Sequence, residues 1–180
     1  YIDVLLAGRR FSEVPLDESW TYDLEGVEHA ITDKTRMVLL CNPNNPTGTF
    51  LTTAQIRVFL QKIENTGILV VIDEAYRDFV NCEDCEASSS LVSEFDNVVL
   101  LRTFSKAFGM AGLRLGYGLA RPEIVDAVNK VVAEFSVSSL SQAVGVAMLQ
   151  DETIMADLKA KTEHYRRGAR KISRLPSRDE

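Results

Sequence analysis

An open, doubly wound α/β sheet, mostly parallel with one antiparallel strand, is the fold that this 180-residue sequence predicts. Three observations predict it. Short runs rich in Val, Ile and Leu recur along the chain, and three are nearly continuous, as strands buried on both faces are. Segments with helical spacing lie between runs. Polar loops follow the runs, at the strand ends where open α/β sheets bind ligands.

The apolar runs are 37–41 (MVLLC), 68–72 (ILVVI), 98–101 (VVLL) and 115–119 (LGYGL). Between the first two, Ile56, Phe59, Leu60 and Ile63 repeat at the helical period, with Thr52 or Thr53 available to cap the start and Gly67 to close the end. Strand, helix and strand in that order predict a right-handed crossover and a parallel pair. Residues 82–95 supply a second, poorer crossover. Residues 101–115 have no helical period, and a parallel return needs a dozen or more residues with a helix. The run 115–119 is therefore expected to be antiparallel. Pro122 suits a first helical turn, and Ile124, Val128, Val131 and Phe135 mark a helix after it. From Ser138 or Ser139 a long helical pattern runs through Val144, Ala147, Met148 and Ile154 to Tyr165.

Composition excludes several classes. With 46% hydrophobic and 26% charged residues, the chain can offset its ordering entropy, so overall disorder is excluded. Its apolar runs fall far short of the ~20 residues of a spanning helix. A net charge of −6 argues against nucleic acid as the main partner. Lys159 and the residues after it are basic; with no aromatic interleaving, they read as a solvated helix end rather than a nucleic-acid arm. Three cysteines suit a reducing compartment better than a disulfide framework. Cys82 and Cys85, without a second pair or a nearby histidine, read as surface loop rather than metal site. His29 and His164 lie in helical patterns and receive no role. The chain begins at Tyr1, and the expectation is a removed segment or a piece of a longer protein.

Three polar groups sit at strand ends: 42–48 (NPNNPTG), 73–76 (DEAY) and 103–114 (TFSKAFGMAGLR). Asp73 emerges from a dry strand, which fits a helix cap or a functional carboxylate. A nucleotidase's magnesium-binding acid would need a Gly-Lys pair, and the chain has none. Lys106, between Phe104 and Phe108, is a solvated charge by default. Apolar neighbours and a cation such as Arg114 favour the uncharged amine that an imine-forming lysine needs. Thr103, Ser105 and Arg114 offer two hydroxyls and a guanidinium for a phosphate. Carboxylate, lysine and phosphate cradle together suggest pyridoxal phosphate.

At NPNNPTG, DEAY and FSKAFGMAGLRLGYG (104–118) the sequence resembles the fold-type I aminotransferases, most of all their histidinol-phosphate aminotransferase branch. Order and intervening lengths match over nearly the whole chain. The resemblance implies pyridoxal 5'-phosphate on Lys106, with Asp73 at the ring nitrogen and Asn45 and Tyr76 at the phenolic oxygen. Thr103, Ser105 and Arg114 would hold the phosphate. Lys106, Asp73 and Tyr76 would be the catalytic residues. Residue chemistry supports Lys106, Asp73 and Arg114 independently; Asn45, Tyr76 and Thr103 lean mainly on the resemblance.

The resemblance also implies a cytoplasmic homodimer using an amino donor and a 2-oxoglutarate-type acceptor, with neither nucleic acid nor membrane as partner. Residues 1–136 correspond to part of the large cofactor-binding domain, and 137–180 to a helical segment leading toward a small domain. Family members run to about twice this length, and their upstream segment and small domain have no counterpart here. Three readings follow. The first is transamination of an amino acid or amino-alcohol phosphate. The second is a related aromatic aminotransferase or phosphorylated-amino-acid decarboxylase. The third is a catalytically incompetent fragment whose long helix exposes an apolar face through Val144, Ala147, Met148 and Ile154.

Overall fold

In the computed structural model, residues 2–80 and 88–172 are described. The element order is α1 (Ile2–Leu6), α2 (Leu24–His29), β1 (Met37–Cys41), α3 (Thr53–Lys62), β2 (Leu69–Asp73), α4 (Ser89–Glu94), β3 (Val98–Thr103), β4 (Gly116–Leu119), α5 (Pro122–Asn129), α6 (Ser139–Gln150) and α7 (Glu152–Ile172). Two 3-10 turns, Arg77–Phe79 and Ala111–Leu113, follow β2 and precede β4.

The sheet has the order β1-β2-β3-β4. The first three strands are parallel and β4 is antiparallel to β3, as the loop without a helix requires. Strand alternation divides the side chains between two faces. Val38, Leu40, Val70, Ile72, Val98 and Leu100 share one core with Ile56, Phe59 and Leu60 of α3 and Leu91 of α4. Complete burial of such aliphatic side chains contributes roughly 1.5–3 kcal/mol each. On the other face Met37, Leu39 and Leu101 are exposed, Leu39 to 59%.

Local chemistry accounts for the boundaries. Thr52 caps α3 in a reciprocal box with Gln55. The helix ends at Lys62, before the expected Ile63, and Asn65 and Gly67 then turn through positive φ. Arg121 is the N-cap of α5, with Pro122 in its first turn.

Two expectations need correction. The helix after Pro122 stops at Asn129 instead of continuing through Val131 and Phe135; Phe135 has φ 58° and is 96% exposed. The long C-terminal helix is two helices. Asp151 interrupts it with ψ 104°, and its carboxylate accepts hydrogen bonds from the Thr153 and Ile154 amides, restarting the helix as α7. Along α6 the inward stripe is Ser141, Val144, Gly145 and Met148, whereas Leu140, Val146 and Leu149 are exposed. Cys82, Cys85 and residues 173–180 lie outside the described residues. Among the described residues no helix is long and apolar enough to cross a membrane.

Candidate active site

Strand register builds the site. Asp73, the last residue of β2, pairs with Leu101 of β3. Leu101 and Thr103 point to the same side of the sheet as Asp73, because side chains alternate along a strand. The loop beyond Thr103 then brings Ser105, Lys106 and Arg114 around the same space. A cavity of 290 Å³ is lined by Asp73, Thr103, Ser105, Lys106 and Arg114, with Ala75, Leu101 and Arg102 completing its wall. Five of the seven sequence-predicted residues thus share one cavity. The other two adjoin it: Asn45 Nδ2 donates to Tyr76 Oη at 3.0 Å, and Lys106 Nζ lies 5.3 Å from the centre of the Tyr76 ring.

Identifiable bonds aim Asp73, Thr103 and Arg114. Asp73 Oδ1 accepts from the Ala75 amide at 3.0 Å, which turns the chain toward Tyr76. Thr103 Oγ1 donates to the Leu115 carbonyl at 3.3 Å and accepts from the Ser105 amide at 3.0 Å. The loop closes on itself through Phe104 N to Leu115 O, Gly109 N to Lys106 O and Met110 N to Phe104 O. Phe104 and Phe108 meet at a tilt of 46° with 4.8 Å between ring centres, giving the lysine loop an apolar brace. Arg114 sits in the left-handed region at φ 51°, ψ 45°. That conformation costs on the order of 1–3 kcal/mol and persists only where surroundings over-determine it. Here the closed loop and the bond from Arg114 Nη1 to the Ala111 carbonyl hold it.

The NPNNPTG loop divides its labour among three asparagines. Asn42 is buried and clamps Leu51, donating to its carbonyl at 3.0 Å and accepting from its amide at 2.7 Å. Asn44 bonds Thr47 Oγ1 and accepts from the Tyr22 hydroxyl. Asn45 alone reaches across to Tyr76. The Asn42-Pro43 and Asn45-Pro46 peptide bonds are both cis. Burial pushes the Tyr22 hydroxyl and the Cys41 thiol above their ordinary values, and the charge of Asp73 adds to both shifts.

Sequence reading missed three supports. Tyr22 Oη accepts from the Cys41 amide at the end of β1. Ser141 Oγ donates to Leu113 O at 2.6 Å, tying α6 to the loop that carries Arg114. Arg102 pairs with Glu74, and its signal was legible: a guanidinium inside VVLLRT demands a partner.

Comparisons with known proteins give the family. A family model described as Aminotransferase class I and II matches residues 2–174. The aromatic amino acid aminotransferase of Corynebacterium efficiens is 44% identical over 164 residues, covering 89% of this chain and 48% of that protein. The histidinol-phosphate aminotransferase of Anoxybacillus flavithermus is 40% identical over 161 residues, covering 89% of this chain and 43% of that protein. Among solved structures, the histidinol-phosphate aminotransferase of Sinorhizobium meliloti, in complex with pyridoxal-5'-phosphate, superposes with a TM-score of 0.80 at 32% identity. It is matched over 89% of this chain and 43% of that one. The chain spans about half the length of the curated relatives it matches. With the family model covering almost all of its residues and the sheet in keeping, this chain belongs to the class I and II aminotransferases.

Proposed function

We propose that this chain forms the cofactor-binding half of a pyridoxal phosphate-dependent aminotransferase. The observation that carries the reading is one cavity with an amine, a carboxylate, two hydroxyls and a guanidinium on its wall. That donor set fits the cofactor. Cations and hydroxyls suit a phosphate, and a carboxylate suits a protonated ring nitrogen. Bound pyridoxal phosphate supplies an electron sink for reactions at an amine-bearing carbon. Lys106 Nζ would hold the cofactor and move the proton at the substrate's amine-bearing carbon. Asp73 would keep a proton on the ring nitrogen. Asn45 and Tyr76 would orient the ring through its phenolic oxygen, and Thr103, Ser105 and Arg114 would anchor the phosphate.

For the substrate, the resemblance of the three motifs to the histidinol-phosphate branch and the identity to the A. flavithermus enzyme support histidinol phosphate with a 2-oxoglutarate-type acceptor. A second reading, an aromatic amino acid as donor, is favoured by the identity to the C. efficiens enzyme. Both donors carry a flat ring. In this proposal residues 1–136 are part of the large domain and 137–180 lead toward a small domain, in a cytoplasmic homodimer. Exposed Val131, Phe135 and Leu140 support an apolar contact with a second copy.

Borohydride reduction after incubation with pyridoxal phosphate, followed by peptide mapping, tests the site. The label is expected on the Lys106 peptide; a label confined to another lysine would sink the assignment. Lys106→Ala should lower turnover by several orders of magnitude. A coupled assay comparing histidinol phosphate with phenylalanine and tyrosine, on the intact polypeptide, separates the two substrate readings. Inactivity of the 180-residue chain beside an active longer polypeptide would assign it the fragment's role.

A further inference from the structure

Beneath the cavity, on the helix-covered side of the sheet, lies a charged pair that the reaction chemistry does not use. Glu74 follows Asp73, and Arg102 precedes Thr103, so strand alternation turns both side chains toward the helix-covered side, although Arg102 also contributes to the cavity wall. Arg102 Nε donates to Glu74 Oε2 at 2.7 Å; the two side chains are 26% and 1% exposed. Arg102 Nη2 also donates to the hydroxyl of buried Ser88, at the start of α4, at 3.3 Å. Burial works against the Arg102 charge, and the neighbouring Glu74 and Tyr117 outweigh it, holding the guanidinium above its ordinary range.

Stability alone is a poor reason for such a pair. Desolvating two charges offsets most of their attraction, and apolar residues of similar volume often do as well or better. The placement gives a better reason. Glu74 joins the two functional residues of its own strand end: its amide donates to Leu101 O, extending the ladder past Asp73, and its carbonyl accepts from Arg77 at the turn that carries Tyr76. Arg102 stands one residue before the loop that carries Thr103, Ser105 and Lys106.

We propose that the Glu74–Arg102 pair is a positioning device, locking the Asp73–Tyr76 strand end to the Thr103–Lys106 loop across the sheet. Both residues act through their neighbours. The proposal rests on the reading of the cavity as a pyridoxal phosphate site. Its logic is geometric. A cofactor that would be held at its ring nitrogen by one strand end and at its aldehyde carbon and phosphate by the next is sensitive to the separation of the two.

The test is the double variant Glu74→Gln/Arg102→Gln in the full chain, which removes both charges and leaves no unpaired buried ion. Circular dichroism checks that it folds. The expected result is a folded protein whose dissociation constant for added pyridoxal phosphate rises on the order of tenfold. The pH midpoint of its visible absorption band also moves. If the double variant fails to fold, Glu74→Asp, which keeps the charge and shortens its reach, is read for the same two changes. A parent labelled at Lys106 by borohydride, with a folded variant that keeps the parental affinity and midpoint, overturns the positioning role alone. A parent that takes no label at Lys106 removes the site reading, and this proposal with it.

Discussion

Asn45 and Tyr76, 31 residues apart in sequence, are joined by a hydrogen bond of 3.0 Å from the amide of one to the hydroxyl of the other. The bond links the loop after β1 to the turn after β2. It places the Tyr76 ring where Lys106 Nζ meets its face.

Removing either partner should therefore cost nearly as much as removing both. Tyr76→Phe and Asn45→Ala are each expected to lower kcat/KM by about tenfold, with the double variant well short of the product of the two effects. Steady-state kinetics on the three variants checks the coupling. Independent, multiplying losses would show that the bond does not unite their roles.

Asp73→Asn keeps the shape of the strand end and removes its charge. Turnover should fall by ~10²-fold or more, the range of a lost electrostatic contact at a reacting centre. Activity within twofold of the parent would make Asp73 a structural residue whose work ends with the Ala75 amide.

A stability effect is expected at a residue outside the reaction. Asn42→Ala leaves the buried amide and carbonyl of Leu51 without their partners, a loss of roughly 1–3 kcal/mol per unsatisfied group. Urea denaturation should show a lower midpoint. Asn42→Asp should also destabilise, because a carboxylate accepts from Leu51 N but cannot donate to Leu51 O.

The join between α6 and α7 should respond to acid. Hydrogen bonds from the Thr153 hydroxyl and from the Ile154 and Thr153 amides hold the Asp151 carboxyl below its ordinary value of 3.8. A folded-state value depressed below the unfolded one means that this cap contributes fully above about pH 4. Its contribution fades as pH falls through the depressed native value. Amide exchange at Thr153 and Ile154 should accelerate over that acid range, and the dependence should vanish in Asp151→Asn.

How far the sequence was legible depended on whether a feature was local. The strands followed from apolar runs, although β2 and β3 continue past them to Asp73 and Thr103, and the antiparallel β4 followed from a connection too poor in helix to cross over. Lys106, Asp73 and Arg114 were visible because each is a charge beside apolar residues. The division of labour among Asn42, Asn44 and Asn45 was not visible, since identical side chains in one loop differ only in which distant partner they meet. The break at Asp151 was hidden for a related reason. Apolar spacing continues across it, and only the carboxylate's preference for the next helix's amides stops the first helix. Phe135 misled because its spacing fits a helix that the backbone has already left.

The uneven covering of the sheet has a consequence for handling the chain in solution. Only one side carries α3 and α4, while Leu39 and Met37 stand exposed on the other; among the described residues no strand flanks the outer edge of β1, where Tyr22 covers the Cys41 amide. A strand edge without a partner strand, next to oily side chains, is a template for strand addition. Raising the concentration of the isolated 180-residue chain should increase its light scattering. Leu39→Lys should suppress that rise and leave the unfolding midpoint nearly unchanged, because a charge on an open strand face repels its own copies without disturbing what lies beneath.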